Sequence, residues 1–315
     1  MTVCIAAICN IGPDRPPCVV AACDRMITIG GLQYEPQQRK AVEIASSTIA
    51  MFSGDMQLHA AVTPKTMERL STLVAERGRM PRVTVKEVAD AYAEEFAYYR
   101  RTLAEREVLV PRGMDFERFA RQQSIMPHYQ VRDIDAMLAA FAIDSTAIIA
   151  GLDHLGAHIY RVRDPGVADS FAIPCFACAG SGKDIAEAQF MVAQYEKQWP
   201  LSRALWLTFS AKARAQVAGG VGPQTDLMII SPNRIEYATE DHIKELFGMF
   251  GRVRRKEQEY NDEAVAKLEA HIGATPRASQ APDAGQTAAA PSADQSASET
   301  QTPSGEPSDE PTTSS

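Results

Sequence analysis

Long apolar runs are missing from this sequence, and so is a secretory signal. No stretch approaches the ~18 consecutive apolar residues that a membrane-spanning helix needs, and no basic segment precedes the apolar N-terminus, as secretion would require. We therefore expect a cytoplasmic protein without a membrane partner. The 6 cysteines are then better explained as reduced core residues than as a disulfide framework.

The C-terminal residues 273–315 contain no Leu, Ile, Val, Met or aromatic side chain. Such a segment cannot bury enough apolar area to offset the entropy lost on ordering, so it is predicted to be a disordered, Ala/Ser/Pro-rich acidic tail. Six acidic residues and one arginine give the tail −5 of the formal −8, which leaves about −3 for the body. A body so close to neutrality argues against a nucleic-acid partner.

Several motifs for catalysis and metal binding are also absent. The sequence has no HExxH and no GxSxG, and none of its 6 histidines has a second His or Cys at ligand spacing on a shared helical face. The segment AGSGKD (179–184) looks like a phosphate-binding loop, but Ala177 stands where that loop needs Gly, and Asp184 where it needs Ser or Thr. No metal or cofactor is therefore predicted, and Ser181 is left with helix capping as its simplest role.

The spacing of the cysteines argues against redox chemistry. Cys175 and Cys178 lie in an apolar stretch, 171–179, that is predicted to be a strand, where residues three apart face opposite sides. The other four form two pairs that are five residues apart and have the same defect, Cys4/Cys9 and Cys18/Cys23.

The N-terminal region predicts a buried hairpin. Residues 3–8 and 18–23 are apolar at odd and even positions alike, so both faces of their sheet must be covered. Residues 10–17 between them are rich in turn formers and predict a long loop. Further strands are predicted at 41–52, 147–152, 157–162, 171–179 and 226–231.

Helices are predicted from capping signals and apolar periodicity. Thr63-Pro64 indicates an N-cap followed by proline at the first position, and Thr84 with Glu87 forms a capping box before an apolar stripe. Further helices are predicted at 183–198, 201–217 and 239–254. The segment 109–130 carries Pro and Gly and is interpreted as an inserted loop with a short helix that begins at Asp115. This order of elements favours two packed sheets with helices outside them, an α/β layered domain.

Two charged residues adjoin the buried strands. Asp24 ends the second predicted strand, and Lys40 precedes the third. A charge at such a position must be paired or functional, and a strand, a turn and a return would bring these two together. From the residues alone, a structural ion pair and a catalytic role both remain open.

With these residues in view, the chain resembles proteasome β-type subunits and the bacterial peptidase rings of ATP-dependent proteases. The similarity covers 2 to about 250 apart from an insert near 105–140. It depends on the order and spacing of several short motifs: Thr2, Asp24, Thr28-Ile-Gly30, Lys40, Phe52-Ser53-Gly54, 149–153 and 179–182. The resemblance implies a four-layer αββα sandwich, the N-terminal nucleophile (Ntn) hydrolase fold, over 1–255, with a helical extension at 256–272 and the tail at 273–315.

The resemblance also implies a mechanism. Thr2, exposed by removal of Met1, would attack a peptide carbonyl with its hydroxyl, and its α-amine, of pKa about 7.7–8.0, would act as the base. Lys40, held charged by Asp24, would lower the pKa of that amine and hydroxyl. Gly54 would donate its N–H to the oxyanion.

Further site residues follow from the same resemblance. Ser181 would join the hydrogen bonds around the amine, and Thr28 would bind the substrate backbone. Ile27, Phe52 and Met56 would line a pocket for small or apolar side chains. The implied partners are a peptide or protein substrate, further copies of the chain in a ring or related assembly, and an ATPase unfoldase as a further option.

Two departures from the family pattern leave alternatives open. The usual Asp and Ser before the Gly-Gly near the last helix are Ala215 and Ala218 here, although Asp226 could substitute, and Met26 stands where Arg is common. The alternatives are a catalytically weak or inactive scaffold subunit, and an amidase that acts on small amides through Cys4 or Thr2.

Overall fold

The computed structural model describes residues 2–12, 16–29, 32–78, 83–232 and 234–274. Contacts divide the chain into two units, Met1–Gln258 and Glu259–Ser315. Met1 and nearly all of the predicted tail, from 275 onward, lie outside the described residues. The first unit is a mixed α/β structure built on antiparallel sheets, and the described part of the second is the end of a long helix.

Twelve strands occur in the described residues, and they form three antiparallel sheets. They are β1 (Cys4–Asn10), β2 (Pro17–Asp24), β3 (Ile27–Ile29), β4 (Leu32–Tyr34), β5 (Ala41–Ala45), β6 (Thr48–Gly54), β7 (Ser145–Asp153), β8 (Gly156–Arg163), β9 (Val167–Ser170), β10 (Phe176–Ala179), β11 (Thr225–Ser231) and β12 (Arg234–Tyr237). The first sheet has the order β10-β1-β2-β11-β12, the second has the order β5-β6-β7-β8-β9, and β3 pairs with β4.

Seven α-helices complete the described part of the chain. They are α1 (Met56–Arg77), α2 (Val85–Ala104), α3 (Phe116–Gln122), α4 (His128–Ala140), α5 (Lys183–Val192), α6 (Leu201–Ala215) and α7 (Glu240–Ala274). A π-helical turn (Glu105–Leu109) and a 3-10 turn (Val110–Arg112) lie between α2 and α3. None of the described helices combines the length and the apolar character needed to span a bilayer.

The predicted N-terminal hairpin is confirmed. β1 and β2 pair antiparallel from Cys4 opposite Cys23 to Asn10 opposite Pro17, and almost every residue of both strands is buried. Both faces are covered because α5 and α6 contact this sheet on one side and strands of the second sheet contact it on the other. Helices α1 and α2 contact the second sheet.

The strand predicted at 41–52 is wrong in one respect, because two strands occupy it. β5 and β6 form a tight hairpin whose turn has Ser47 at φ 54°. No Gly, Pro, Asn or Asp marks this turn in the sequence, so the apolar run reads as continuous. β3, β4, β9 and β12 are short strands that the sequence analysis did not predict.

The predicted start of the first helix is also wrong. α1 begins at Met56, where the Asp55 side chain accepts from Gln57 N at 2.8 Å, and Pro64 lies in the helix interior. Pro64 is exposed, and the opposite face of the helix, with Leu58 and Val62, is buried. The burial of that face offsets the backbone hydrogen bond that the proline removes. The Thr84 capping box of α2 is confirmed.

Other boundaries shift for local reasons. α5 stops at Val192, with Gln194 at φ 50°, rather than at 198. The helix predicted at 239–254 and the helical extension predicted at 256–272 are one continuous helix, α7, which runs to Ala274. The strand predicted at 171–179 is shorter than expected, because β10 starts only at Phe176. Cys175, at φ 56°, therefore lies just outside the strand. The six cysteines are nevertheless buried and unbridged.

The insert is more helical than predicted. Asp115 caps α3 as expected, with its side chain accepting from Arg118 N at 2.7 Å, but α4 was not predicted. The insert has a small apolar cluster of its own around Leu109, Phe119 and Ile134.

Candidate active site

The site is centred on Thr2, which lies two residues before β1 and is 1% exposed. Pairing of β1 with β2 places Thr2 beside Asp24, the last residue of β2. The Thr2 hydroxyl donates to Asp24 Oδ1, and the backbone N–H of Val3 donates to the same oxygen at 2.8 Å. The N-terminal hairpin therefore brings together the first two predicted site residues.

The second oxygen of Asp24 is equally well bound. Oδ2 accepts from Met26 N at 2.8 Å and Gly222 N at 3.2 Å, and Lys40 Nζ lies 3.4 Å away. Asp24 is fully buried. Both oxygens of this buried carboxylate therefore have hydrogen-bond donors, as burial of a polar group requires.

Lys40 comes just before β5 and is 4% exposed. Its ammonium donates to Thr2 Oγ1 at 2.9 Å and to the Met26 carbonyl, in addition to its ion pair with Asp24. The Thr2 hydroxyl thus donates to a carboxylate and accepts from an ammonium. Such an arrangement orients the hydroxyl and stabilises negative charge that develops on its oxygen.

A cleft of about 230 Å³ opens beside this trio. Thr2 and Lys40 line it together with predicted residues of the oxyanion site and the substrate pocket: Ile27, Thr28, Phe52, Gly54 and Met56. The Thr28 hydroxyl oxygen is buried and has no hydrogen-bond partner among the described residues. The structure therefore gathers these predicted residues around one cavity.

Gly54 ends β6, and its backbone requires glycine. Its φ of 97° is a left-handed conformation, and a Cβ at this position would overlap the Asp144 carbonyl oxygen and Ser145. The chain can therefore turn sharply beside Thr2 before α1 starts.

Ser181 meets Thr2 at its carbonyl. Ser181 Oγ donates to Gly219 O at 3.0 Å and to Thr2 O at 3.4 Å, and Gly182 N donates to Thr2 O at 3.2 Å. The simple capping role of Ser181 is wrong, since the N-cap of α5 is Gly182 without a side-chain bond. Ser181 therefore anchors the backbone of Thr2.

Asp226 does not reach Thr2. It pairs in β11 with Cys23 and forms an ion pair with Arg25 at 2.6 Å. Hydrogen bonding to Asp226 raises the pKa of the Arg25 guanidinium. Asp226 therefore does not stand in for the acidic residue missing at Ala215, which is buried and packs near Gly182.

Lys212 was missed by the sequence analysis. It lies fully buried on α6 and donates to the carbonyls of Gly222, Pro223 and Gln224 at 2.7, 3.0 and 2.9 Å. Burial lowers the pKa of Lys212 to about 8. Because Gly222 N donates to Asp24, Lys212 holds the turn that supports that carboxylate. The available signal was a lysine between alanines on the apolar face of α6.

His59 and Tyr92 form a second network that the sequence analysis missed. His59 Nδ1 lies 2.6 Å from the Tyr92 hydroxyl and Nε2 lies 3.0 Å from the Ser53 carbonyl oxygen. Burial lowers the pKa of His59 to about 4. The predicted helix start at Thr63 left His59 outside any element, so no pattern pointed to it.

Neither the family models nor the curated proteins include a match to this sequence. In the part of the chain that the structure describes, no group of three or more His, Cys, Asp or Glu side chains could hold a metal ion.

Proposed function

We propose that the chain is a threonine-type Ntn hydrolase that cleaves peptide bonds with Thr2 as the nucleophile. One observation carries the proposal: the Thr2 hydroxyl is held between the Asp24 carboxylate and the Lys40 ammonium at the head of a cleft. A hydroxyl is a poor nucleophile unless a base takes its proton and its charge is stabilised. The α-amine of Thr2, once Met1 is removed, would be that base.

We also propose that the chain has the four-layer αββα fold of Ntn hydrolases. Two five-stranded antiparallel sheets contact each other, with α1 and α2 against one and α5 and α6 against the other. This arrangement supports the four-layer αββα sandwich of Ntn hydrolases. In that fold the nucleophile lies at the start of a central strand, and Thr2 lies two residues before β1, which has neighbours on both sides in its sheet.

The proposed reaction has two stages, acylation of Thr2 and hydrolysis of the resulting ester. Thr2 Oγ attacks the substrate carbonyl carbon while its proton passes to the α-amine, and the carbonyl oxygen becomes an oxyanion bound by the Gly54 N–H. The intermediate collapses to an ester on Thr2 as the leaving amine takes the proton from the α-ammonium. Water then attacks the ester with the α-amine again as base, and the acid product leaves with Thr2 restored.

The lining of the cleft favours apolar side chains next to the cleaved bond. Ile27, Phe52 and Met56 contribute apolar surface beside Thr2. We therefore propose small or apolar residues at that position of the substrate. A peptide library cleaved only after charged residues would contradict this specificity.

Thr2 is a better candidate nucleophile than Cys4. Burial raises the pKa of the Cys4 thiol to about 12, and its sulfur lies 3.4 Å from the Phe52 carbonyl oxygen. Since the thiolate is the reactive form, Cys4 would be nearly unreactive at neutral pH. The amidase alternative through Cys4 is correspondingly weakened.

Intact mass spectrometry with a β-lactone tests the proposal. We expect the purified chain to lack Met1 and to gain one inhibitor mass, which Thr2→Ala abolishes. Thr66→Ala removes a buried hydroxyl that bonds only to Val62 O in α1, so this control should still react. A chain that retains Met1 and forms no adduct would instead indicate the scaffold alternative.

We also propose an oligomeric assembly, an ATPase unfoldase as a partner and a cytoplasmic location. These proposals are supported by the sequence and by its resemblance to proteasome β-type subunits. Native mass spectrometry of the same preparation tests the assembly, for which we expect a closed oligomer rather than a monomer.

A further inference from the structure

The oxyanion donor and a buried carbonyl belong to one peptide group. The N–H of Gly54 and the C=O of Ser53 flank the same C–N bond, which is rigid and planar. In a trans peptide these two groups point in opposite directions. Whatever holds the Ser53 carbonyl therefore also determines where the Gly54 N–H points.

His59 holds that carbonyl. Its Nε2 lies 3.0 Å from Ser53 O, and since a carbonyl oxygen can only accept, Nε2 must carry the hydrogen. Nδ1 is then an acceptor, and the Tyr92 hydroxyl, 2.6 Å away, must donate to it. The network runs in one direction from Tyr92 through His59 to Ser53.

The surroundings of His59 keep this arrangement in place. The ring is 1% exposed and stacks on Phe52 at 4.6 Å between centroids. Because burial lowers the pKa of His59 to about 4, the ring is neutral near pH 7 and keeps one donor and one acceptor.

The peptide between Ser53 and Gly54 is the last one in β6, where Ser53 pairs with Thr146 and Gly54 with Ser145 of β7. His59 adds a side-chain anchor at this end of the strand. Gly54 sits at φ 97°, and glycine reaches both signs of φ at low cost. A flip of this peptide would exchange the N–H and the C=O, and the oxyanion would then face a carbonyl oxygen. An anchored Ser53 carbonyl excludes the flipped state.

We propose that His59 is a positioning residue that holds the Ser53–Gly54 peptide with the Gly54 N–H directed into the Thr2 cleft, and that Tyr92 fixes the orientation of the His59 ring by donating to Nδ1. The inference rests on the proposed hydrolase function, and it assigns His59 no contact with substrate. A hydrogen bond at the carbonyl also polarises the N–H of the same peptide, which strengthens it as a donor.

Kinetics of peptide hydrolysis by the full chain provide the first test. Removal of one oxyanion donor typically lowers kcat by about 10²–10³-fold. We expect His59→Leu to lower kcat by about 10²-fold with KM nearly unchanged, because the substrate contacts remain. His59→Gln, which can keep an N–H near Nε2, should recover most of kcat. Equal kcat in wild type and His59→Leu would overturn the proposal, and so would a loss confined to KM.

Two further variants separate positioning from stability. Tyr92→Phe removes only the hydroxyl oxygen, so it should keep the fold even if His59→Leu does not. We expect kcat to fall about tenfold because the His59 ring loses the donor to Nδ1 that holds its orientation. Thr66→Val removes a buried hydroxyl of α1 that donates to Val62 O and does not belong to the network of Tyr92, His59 and Ser53. This variant should leave kcat unchanged. An unchanged kcat in Tyr92→Phe would contradict the role of Tyr92 in holding the ring.

Crystal structures distinguish failure of this inference from failure of the proposed function. In His59→Leu we expect the Ser53–Gly54 peptide to be flipped or present in two orientations, and in wild type to have one. This readout needs no activity, so it holds even for an inactive chain. A single, unchanged orientation in His59→Leu would overturn the inference while leaving the assignment of Thr2 untouched.

Discussion

At the scale of the residue, the site depends on two buried charges that satisfy each other. Asp24 and Lys40 are 0% and 4% exposed, and each makes further hydrogen bonds to backbone groups around Thr2. Removal of one partner from a buried pair leaves an uncompensated charge, which is far more costly than loss of an exposed pair. The same contacts that orient the Thr2 hydroxyl therefore stabilise the fold.

Lys40→Met tests this double role. We expect the free energy of unfolding to fall by about 3–5 kcal/mol, since the Asp24 carboxylate loses its cation, and Thr2 to lose its reactivity toward a β-lactone by at least about 100-fold. Urea denaturation and adduct formation measure the two effects. Lys65→Met, which breaks an exposed pair with Glu68, is the control. A Lys40→Met chain that acylates at the wild-type rate would contradict the role of the ammonium.

Lys212 predicts a pH dependence of stability. Burial lowers its pKa from 10.5 to about 8 in the folded chain, so between these pH values the unfolded chain binds more protons than the folded one. The wild-type free energy of unfolding should therefore rise, relative to Lys212→Met, by on the order of 2–3 kcal/mol from pH 7.5 to 10.5. Urea denaturation at several pH values measures this. Lys244→Met, at an exposed lysine, should give a flat difference, and a flat difference for Lys212→Met would contradict the assignment.

At the scale of the element, local signals could be predicted where they act within a few residues. The β1–β2 hairpin, the Thr84 capping box and the Asp115 cap all follow from neighbouring residues, and the structure confirms them. Asp24 and Lys40 could be proposed as a pair because each adjoins a predicted strand. His59 and Lys212 could not, since their partners at Ser53 and in the turn after α6 are set by tertiary packing.

The start of α2 allows a quantitative test of such a local signal. Glu87 N donates to Thr84 Oγ1 at 3.2 Å and Thr84 N donates to the Glu87 carboxylate at 2.8 Å. Thr84→Ala should lower the free energy of unfolding by about 1 kcal/mol. Thr102→Ala, at an exposed hydroxyl that bonds Tyr98 O in the same helix, should change it by less than about 0.5 kcal/mol. Equal effects of the two substitutions in thermal or urea denaturation would show that the box does not stabilise the helix.

At the scale of the whole molecule, the contacts that hold the site are confined to the first unit. Every residue that contacts Thr2, Asp24 or Lys40 through a described hydrogen bond lies before Gln258. The first half of α7 is also tied to this unit, since Phe209 packs on Phe247 at 4.9 Å between centroids. We therefore expect the interactions within Met1–Gln258 to contribute most of the free energy of unfolding.

A chain that ends at Gln258 tests this division. We expect its thermal unfolding midpoint to lie within a few degrees of that of the full chain, because the truncation leaves the first unit complete. For a domain of this size, a loss of about 1 kcal/mol in the free energy of unfolding shifts the midpoint by about 2–4 °C. Its reaction with a β-lactone at Thr2 should keep the wild-type rate, since the Asp24 and Lys40 contacts remain. A chain that ends instead at Ala238 removes all of α7 and, with it, the Phe209 contact. That shorter chain should unfold at a clearly lower temperature, and if the two truncations were equally stable, α7 would contribute nothing to the first unit.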